Sequence, residues 1–264
     1  MAQQLLIERE GATERWTLND PATRNALSEP MVQALREACT RAHADASLRF
    51  IVLCGAGGAF CAGGSLGGFA KSIGQPLQAG EADPLIPLNR GFGHLLEALC
   101  ALPQMLVAAV EGPAMGGGMG LVCCADFVLA ADTAVFATPE VSLGIVPAQI
   151  APFVLRRLGD RAARQCLLRG RKWNAPEALA LGLVDQVHPA AQLAAAVQAE
   201  LAQLRSAAPG AVAATKALLL EEKTLETPDL LALAAIKFAA RLRSAEAAEG
   251  LAAFAQKRKP QWAA

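Results

Sequence analysis

Residues 105–131 read MLVAAVEGPAMGGGMGLVCCADFVLAA. Two continuous apolar runs, MLVAAVEG at 105–112 and FVLAA at 127–131, bracket a glycine triplet at 116–118 and a short helical stretch. A strand with one wet face alternates apolar and polar residues. A strand buried on both faces does not, and such strands belong to parallel sheets covered by helices. RFIVLC at 49–54 has the same character and also runs into glycines. Strands of this kind separated by helices predict an α/β fold.

Outward from these runs the chain is well punctuated. ERWTLN at 14–19 alternates like a strand, and Asp20-Pro21 turns the chain. Ser28 is placed to cap a helix with Pro30 in its first turn, and Met31, Leu35, Ala38 and Ala42 then recur on one helical face. Leu85 to Leu102 reads as a second helix, ended by Pro103. After about residue 190 the pattern changes to alanine- and leucine-rich helices, with breaks at Pro209-Gly210 and Thr227-Pro228. Two regions are expected, an α/β part over 1–190 and a helical part over 191–264. Residues 66–88 hold glycine and proline without periodicity, a long loop of the kind that often carries function.

Composition narrows the function classes. The 264 residues carry 24 Lys plus Arg and 24 Asp plus Glu, 53% hydrophobic and 5% aromatic residues, and no Tyr. Zero net charge and few aromatics argue against a basic nucleic-acid surface or a base-stacking platform. No apolar run approaches the twenty residues of a membrane span. MAQQLLIERE has neither the basic flank nor the apolar core of a signal peptide, so a cytoplasmic protein is expected. The seven cysteines form no CxxC pair, and His43, His94 and His188 stand far apart. Reduced, buried thiols and no metal site are the expectation.

Three features have chemical potential. GAGGAFCAGGSLGGF at 55–69 follows a buried strand but fails the dinucleotide pattern, because Phe60 stands where a glycine is needed. Gly63-Gly64-Ser65-Leu66-Gly67 fits the G-x-S-x-G of a hydrolase nucleophile elbow, with Asp160 and His188 in the right chain order. Against that reading, residues 55–64 separate the serine from its strand, and no HGG-type segment precedes it. EGPAMGGGMGLVCCADF at 111–127 is the second glycine segment. Two such strand-to-helix junctions could each offer a backbone N–H to an oxyanion, although tight packing alone would explain any single glycine. The third feature is Glu140, the sole acidic residue between Asp132 and Asp160. Apolar surroundings would raise its pKa toward that of a working acid/base, whereas an exposed helix-cap role after Pro139 is the plainer alternative.

Together these segments resemble the crotonase (enoyl-CoA hydratase/isomerase) superfamily. The likeness runs through RNAL (24–27), AFCAGG (59–64), EGPAMGGGMGL (111–121), TPEVSLGIVP (138–147) and FAQKRKPQW (254–262). It implies a spiral of ββα units followed by a C-terminal helical region used for trimerisation, and a homotrimer or dimer of trimers. It implies that Gly64 and Gly117 supply the oxyanion amides and Glu140 the catalytic carboxylate. Arg24, Ala26 and Ala62 fall where relatives line the coenzyme A channel, and Lys257 where a lysine can reach its phosphate. Coenzyme A would enter as part of an acyl-CoA substrate, with no separate cofactor.

Two positions depart from the usual hydratase pattern. Gly120 stands where a second catalytic glutamate is common, and Ser65 where an aspartate often follows the first oxyanion glycine. The stretch LGIVPAQIAPFVLRRLGDRAAR at 143–164 looks most like hydratases of branched glutaconyl-type acyl-CoAs, including isohexenylglutaconyl-CoA. The expected function is hydration of an enoyl-CoA. An enoyl-CoA isomerase using Glu140 alone and a non-catalytic binding protein of the same fold are the alternatives. His94 and Gln149 are the side chains to inspect for a replacement of the missing carboxylate.

Overall fold

A computed structural model describes residues 3–65, 72–77, 80–222 and 224–263. The chain starts with β1 (Leu5–Glu10) and β2 (Thr13–Leu18), then α1 (Glu29–His43), β3 (Phe50–Gly55), α2 (Leu85–Cys100) and β4 (Met105–Val110). It continues through β5 (Pro113–Met115), α3 (Gly117–Cys124), β6 (Phe127–Ala131), β7 (Val135–Ala137) and α4 (Ala151–Arg169). β8 (Trp173–Asn174), α5 (Ala175–Ala180) and β9 (Gln186–His188) complete the sheets; α6 (Leu193–Leu204), α7 (Pro209–Glu221), α8 (Thr227–Leu242) and α9 (Ala245–Ala255) follow.

One sheet has the order β1-β2-β3-β4-β6-β9, and a smaller one has β5-β7-β8. β1 and β2 form an antiparallel hairpin, and every pair from β2 to β9 in the larger sheet is parallel. The apolar runs are therefore buried on both faces. Phe50, Val52, Val107 and Leu129 meet Leu193, Val197 and Leu201 of α6, while Ile51, Leu53, Leu106 and Val128 join the cluster that contains Leu35 of α1 and Leu95 of α2.

Ser28 caps α1, accepting a hydrogen bond from Met31 N, with Pro30 in the first turn. Met31, Leu35, Ala38 and Ala42 are all buried. Full burial of a leucine or methionine is worth about 1.5–3 kcal/mol, which fixes this face to the sheet. α2 stops at Cys100, two residues before the expected end, and Ala101 caps it by donating to Glu97 O.

The repeat behind the fold is a strand of the large sheet, a short strand of the small one, then a helix. β4-β5-α3 and β6-β7-α4 are two such turns, and β3 and α2 make a third through a single bridge at Cys61. Cys61 pairs with Ala114, and Ala114 pairs with Phe136, so three turns lie side by side in register. This is the expected ββα spiral.

The helical tail is pinned to that body by two cations. Arg49 donates to the carbonyls of Trp262 (2.5 Å), Arg205 (3.1 Å) and Ala207 (2.9 Å). Lys216 on α7 reaches Gln104 O at 2.6 Å and Asp126 Oδ2 at 2.5 Å. Among the described residues, no helix is long and apolar enough to cross a membrane, and no three His, Cys, Asp or Glu side chains converge as a metal site would require. None of the seven cysteines is in a disulfide, and five of them are buried. Burial pushes the Cys39 and Cys61 thiols up to about 12. They are packing residues.

Candidate active site

The spiral brings Gly64, Gly117 and Glu140 together at corresponding points of successive turns. Gly64 lies three residues beyond Cys61, Gly117 three beyond Ala114 and Glu140 four beyond Phe136, and those three reference residues are paired neighbours. The two glycine segments touch at Gly63, where a Cβ would stand 2.9 Å from Met115 O.

Gly64 is held by a bridge to the RNAL segment. Leu27 N donates to Gly63 O (2.8 Å) and Ser65 N to Leu27 O (3.2 Å), which turns the Gly64 amide to the opposite side. Gly117 opens α3, and the first amides of a helix have no acceptor within it. Among the described residues neither amide donates a hydrogen bond. A Cβ at Gly64 would meet none of the described residues within 4 Å, and the residue is exposed.

Glu140 stands in the 3-10 turn Pro139–Leu143. The turn is fastened by Thr138, whose buried hydroxyl donates to Cys166 O on α4 at 2.9 Å. The carboxyl points inward, against Gly116, and a Cβ at Gly116 would lie 2.6 Å from Glu140 Oε1. Oε2 is buried and without a hydrogen-bond partner among the described residues. Desolvation raises the Glu140 pKa above its ordinary value, opposed only by a backbone hydrogen bond. An exposed cap would show neither feature. The site thus has, among the described residues, two unpaired backbone donors beside a carboxyl whose pKa is raised.

The other glycines of the second segment serve packing. A Cβ at Gly118 would press on Cys61 O at 2.7 Å, and one at Gly120 would be 2.5 Å from Ile150 Cγ2. At position 120, where a second glutamate is common in hydratases, the space is filled by buried Ile150 with Leu96 behind it. Position 120 faces an apolar wall.

Arg24, Ala26 and Ala62 are brought together, since Ala62 N donates to Arg24 O at 2.9 Å one step from the Leu27–Gly64 bridge. The residue that organises them is Asn25, missed by the sequence reading. It is fully buried in a left-handed conformation (φ 59), receives Asp20 N at 2.9 Å and donates to Ala56 O at 2.9 Å and Ala59 O at 2.7 Å. Lys257 follows α9 with an exposed side chain that no hydrogen bond among the described residues ties to this group.

The hydrolase reading does not assemble. Asp160 pairs with Arg164 on the outside of α4, and His188 Nε2 meets Gln186 Oε1 at 2.9 Å. Neither bonds to Ser65, and Leu66 and Gly67 lie outside the described residues. His94 is exposed on α2, and Gln149 donates to Asn89 Oδ1 at 2.8 Å. Neither is bonded to Glu140.

A ββα spiral that sets two unpaired peptide amides beside a half-buried carboxyl of raised pKa has the parts with which an enzyme can steady an oxyanion and move a proton. The profile of the enoyl-CoA hydratase/isomerase family matches residues 8–264, and the chain belongs to that family. It is similar to an enoyl-CoA hydratase/isomerase of Marinobacter aquaeolei, with 43% identity, a TM-score of 0.93 and 100% of both chains covered. It is also similar to AtuE of Pseudomonas aeruginosa, with 47% identity, a TM-score of 0.93, and 99% of this chain and 100% of that one covered. The carnitinyl-CoA dehydratase of Proteus mirabilis is 34% identical over 99% of each chain.

Proposed function

We propose that the chain is an enoyl-CoA hydratase that adds water across the 2,3 double bond of an acyl-CoA. The observation that carries this reading is the Glu140 carboxyl lodged against Gly116, one residue from the free Gly117 amide. The thioester oxygen accepts from Gly64 and Gly117. Glu140 as carboxylate takes a proton from water as its oxygen bonds to C3. The π electrons move to the thioester as an enolate, held by the two amides, and Glu140 returns the proton to C2. One carboxyl serves both transfers.

Arg24, Ala26 and Ala62 line the coenzyme A channel in this reading, with Lys257 meeting its phosphates across a subunit boundary. Coenzyme A is part of the substrate, and neither metal nor redox cofactor takes part. The acyl group is a branched glutaconyl-type one such as isohexenylglutaconyl, in line with the 143–164 stretch and with glycine at 120. The name of the Proteus relative, a dehydratase, describes the reverse sense of the same chemistry. Residues 1–190 hold the site and 191–264 mediate assembly as a trimer or dimer of trimers in the cytoplasm. Ile236, Phe238 and Phe254 on α8 and α9 support that assembly, being 67%, 68% and 84% exposed in the single chain.

A second reading is favoured by the Ile150 wall at Gly120, which leaves a single carboxyl. An isomerase needs only one, shuttling a proton between C2 and C4 on one face. Turnover of 2-enoyl-CoA esters in ¹⁸O-labelled water separates the two. Label in a hydroxyacyl product supports hydration, and a shifted double bond without label assigns isomerisation instead.

A further inference from the structure

A cavity of about 580 Å³ opens between α2, α4 and α7. Cys100, Phe153 and Leu220 give it apolar walls, and three charged side chains, Arg90, Glu97 and Arg156, face it. Two of these cancel, because Arg90 Nη2 lies 2.9 Å from Glu97 Oε1. Arg156 has no carboxylate partner among the described residues. Its guanidinium lies 5.2 Å from the centre of the Phe153 ring. The hollow therefore presents apolar surface and one uncompensated positive charge.

Two pairs of consecutive residues link it to the oxyanion helix. Phe92 packs on Gly117, with its Cζ 3.2 Å from where a Cβ would stand, and the next residue, Gly93, lies against the Gln149 side chain. Gln149 lines the cavity, and the next residue, Ile150, packs on Gly120. The partition between Gly117 and the cavity is thus one layer of side chains. Within it, the Gln149 amide is held to Asn89 by a single hydrogen bond of 2.8 Å.

We infer that this cavity receives the distal part of an acyl group that carries a second carboxylate, with Arg156 as its counter-ion. The volume falls within the range of about 300–1,000 Å³ common for small-molecule sites. Arg156 is exposed at the rim of the hollow and keeps its water, so an apolar acyl end gains nothing from it, whereas a carboxylate gains a charge-assisted pair. An acyl chain held by its thioester oxygen at Gly117 reaches the hollow by displacing Gln149. The inference rests on the acyl-CoA reading, whose glutaconyl-type acyl group already carries a second carboxylate, and adds to it the place of that carboxylate and a specificity residue.

The test uses saturated esters, which cannot turn over. Succinyl-, glutaryl-, adipyl- and suberyl-CoA are titrated calorimetrically against the monoacid esters of equal carbon number, on the full chain and on Arg156→Gln and Arg156→Lys. A diacid preference of about tenfold, equivalent to about 1.4 kcal/mol, is expected at one chain length. Arg156→Gln should abolish it and Arg156→Lys retain part of it, with monoacid affinities unchanged in both. Equal affinities at every length, or a preference that survives Arg156→Gln, overturn the subsite while leaving the acyl-CoA reading in place. Failure of every ester to bind overturns both.

Discussion

The backbone of Gly116 forms the seat of the Glu140 carboxyl, and a single added carbon at 116 would intrude to 2.6 Å from Oε1. Gly116 also has φ 49 and ψ −114, a conformation open to glycine and strained for other residues. Gly116→Ala should therefore lose about 1–3 kcal/mol from strain alone and displace the acid as well. Denaturant unfolding and turnover measured on one preparation should both fall.

Gly64→Ala makes the opposite case. Its methyl meets none of the described residues and its backbone is outside the left-handed region, so the melting temperature should stay within about 2 °C of the parent. Turnover should still drop by about tenfold or more, since the methyl crowds one of the two oxyanion donors. Full activity in a folded Gly64→Ala protein would remove Gly64 from the oxyanion site.

Glu140→Gln should cost about 10²–10⁴ in kcat, because the amide cannot carry the proton. It should also stabilise the protein at neutral pH. A carboxyl whose folded pKa is raised binds more protons folded than unfolded, so its penalty grows as pH rises through the unfolded value near 4.5 toward the raised one. The variant should melt about 2–4 °C above the parent at pH 7, with the gap closing below pH 4. Paired thermal melts at the two pH values check the sign.

Glu14 has the reverse linkage. It is buried on the same strand face as Trp16 and Leu18, and Arg41 Nη1 and Nη2 donate to its two oxygens at 2.7 and 2.8 Å, with Trp16 Nε1 at 2.8 Å. The Arg41 hydrogen bond holds its pKa below the ordinary 4.5. Its contribution is full above that value and is lost as pH falls through the lowered one. Glu14→Gln should cost about 1.5–3 kcal/mol at pH 7 and much less in strong acid, as read by urea unfolding.

Ile150 and Gly120 should behave as a coupled pair. Gly120→Ala overpacks against Ile150 Cγ2 and Ile150→Ala leaves a void, each costing roughly 1–4 kcal/mol. The double variant should lose less than the sum by about 1 kcal/mol or more. Strict additivity in a double-mutant cycle would show that the two do not share space.

The long elements were legible because burial writes itself into composition. β3, β4 and β6 read as continuous apolar runs, and Ser28, Pro30 and the Met31–Ala42 face announced α1. β5 and β7, three residues each, are too short for any period to show. Their existence depends on pairing with Cys61 and with each other. Glu140 stood out for its apolar neighbours, and they do desolvate it. Asn25 sent no such signal, since its partners are carbonyls at 56 and 59 that only the folded chain brings near. The packing roles of Gly118 and Gly120 were hidden likewise, because Cys61 and Ile150 are remote in sequence.

The pairing of Cys61, Ala114 and Phe136 makes the small sheet a ruler. Adjacent strands in any sheet are about 4.8 Å apart, so the distances among the two donors and the acid are copied from the peptide ladder and owe little to side-chain rotamers. Length changes between the turns, as in the 66–84 connection, leave that scale untouched. A one-residue insertion within 61–64, 114–117 or 136–140 shifts a single mark against the other two. Such a site tolerates the exchange of whole loops and the substrates they admit, and breaks when its graduation is altered by one peptide.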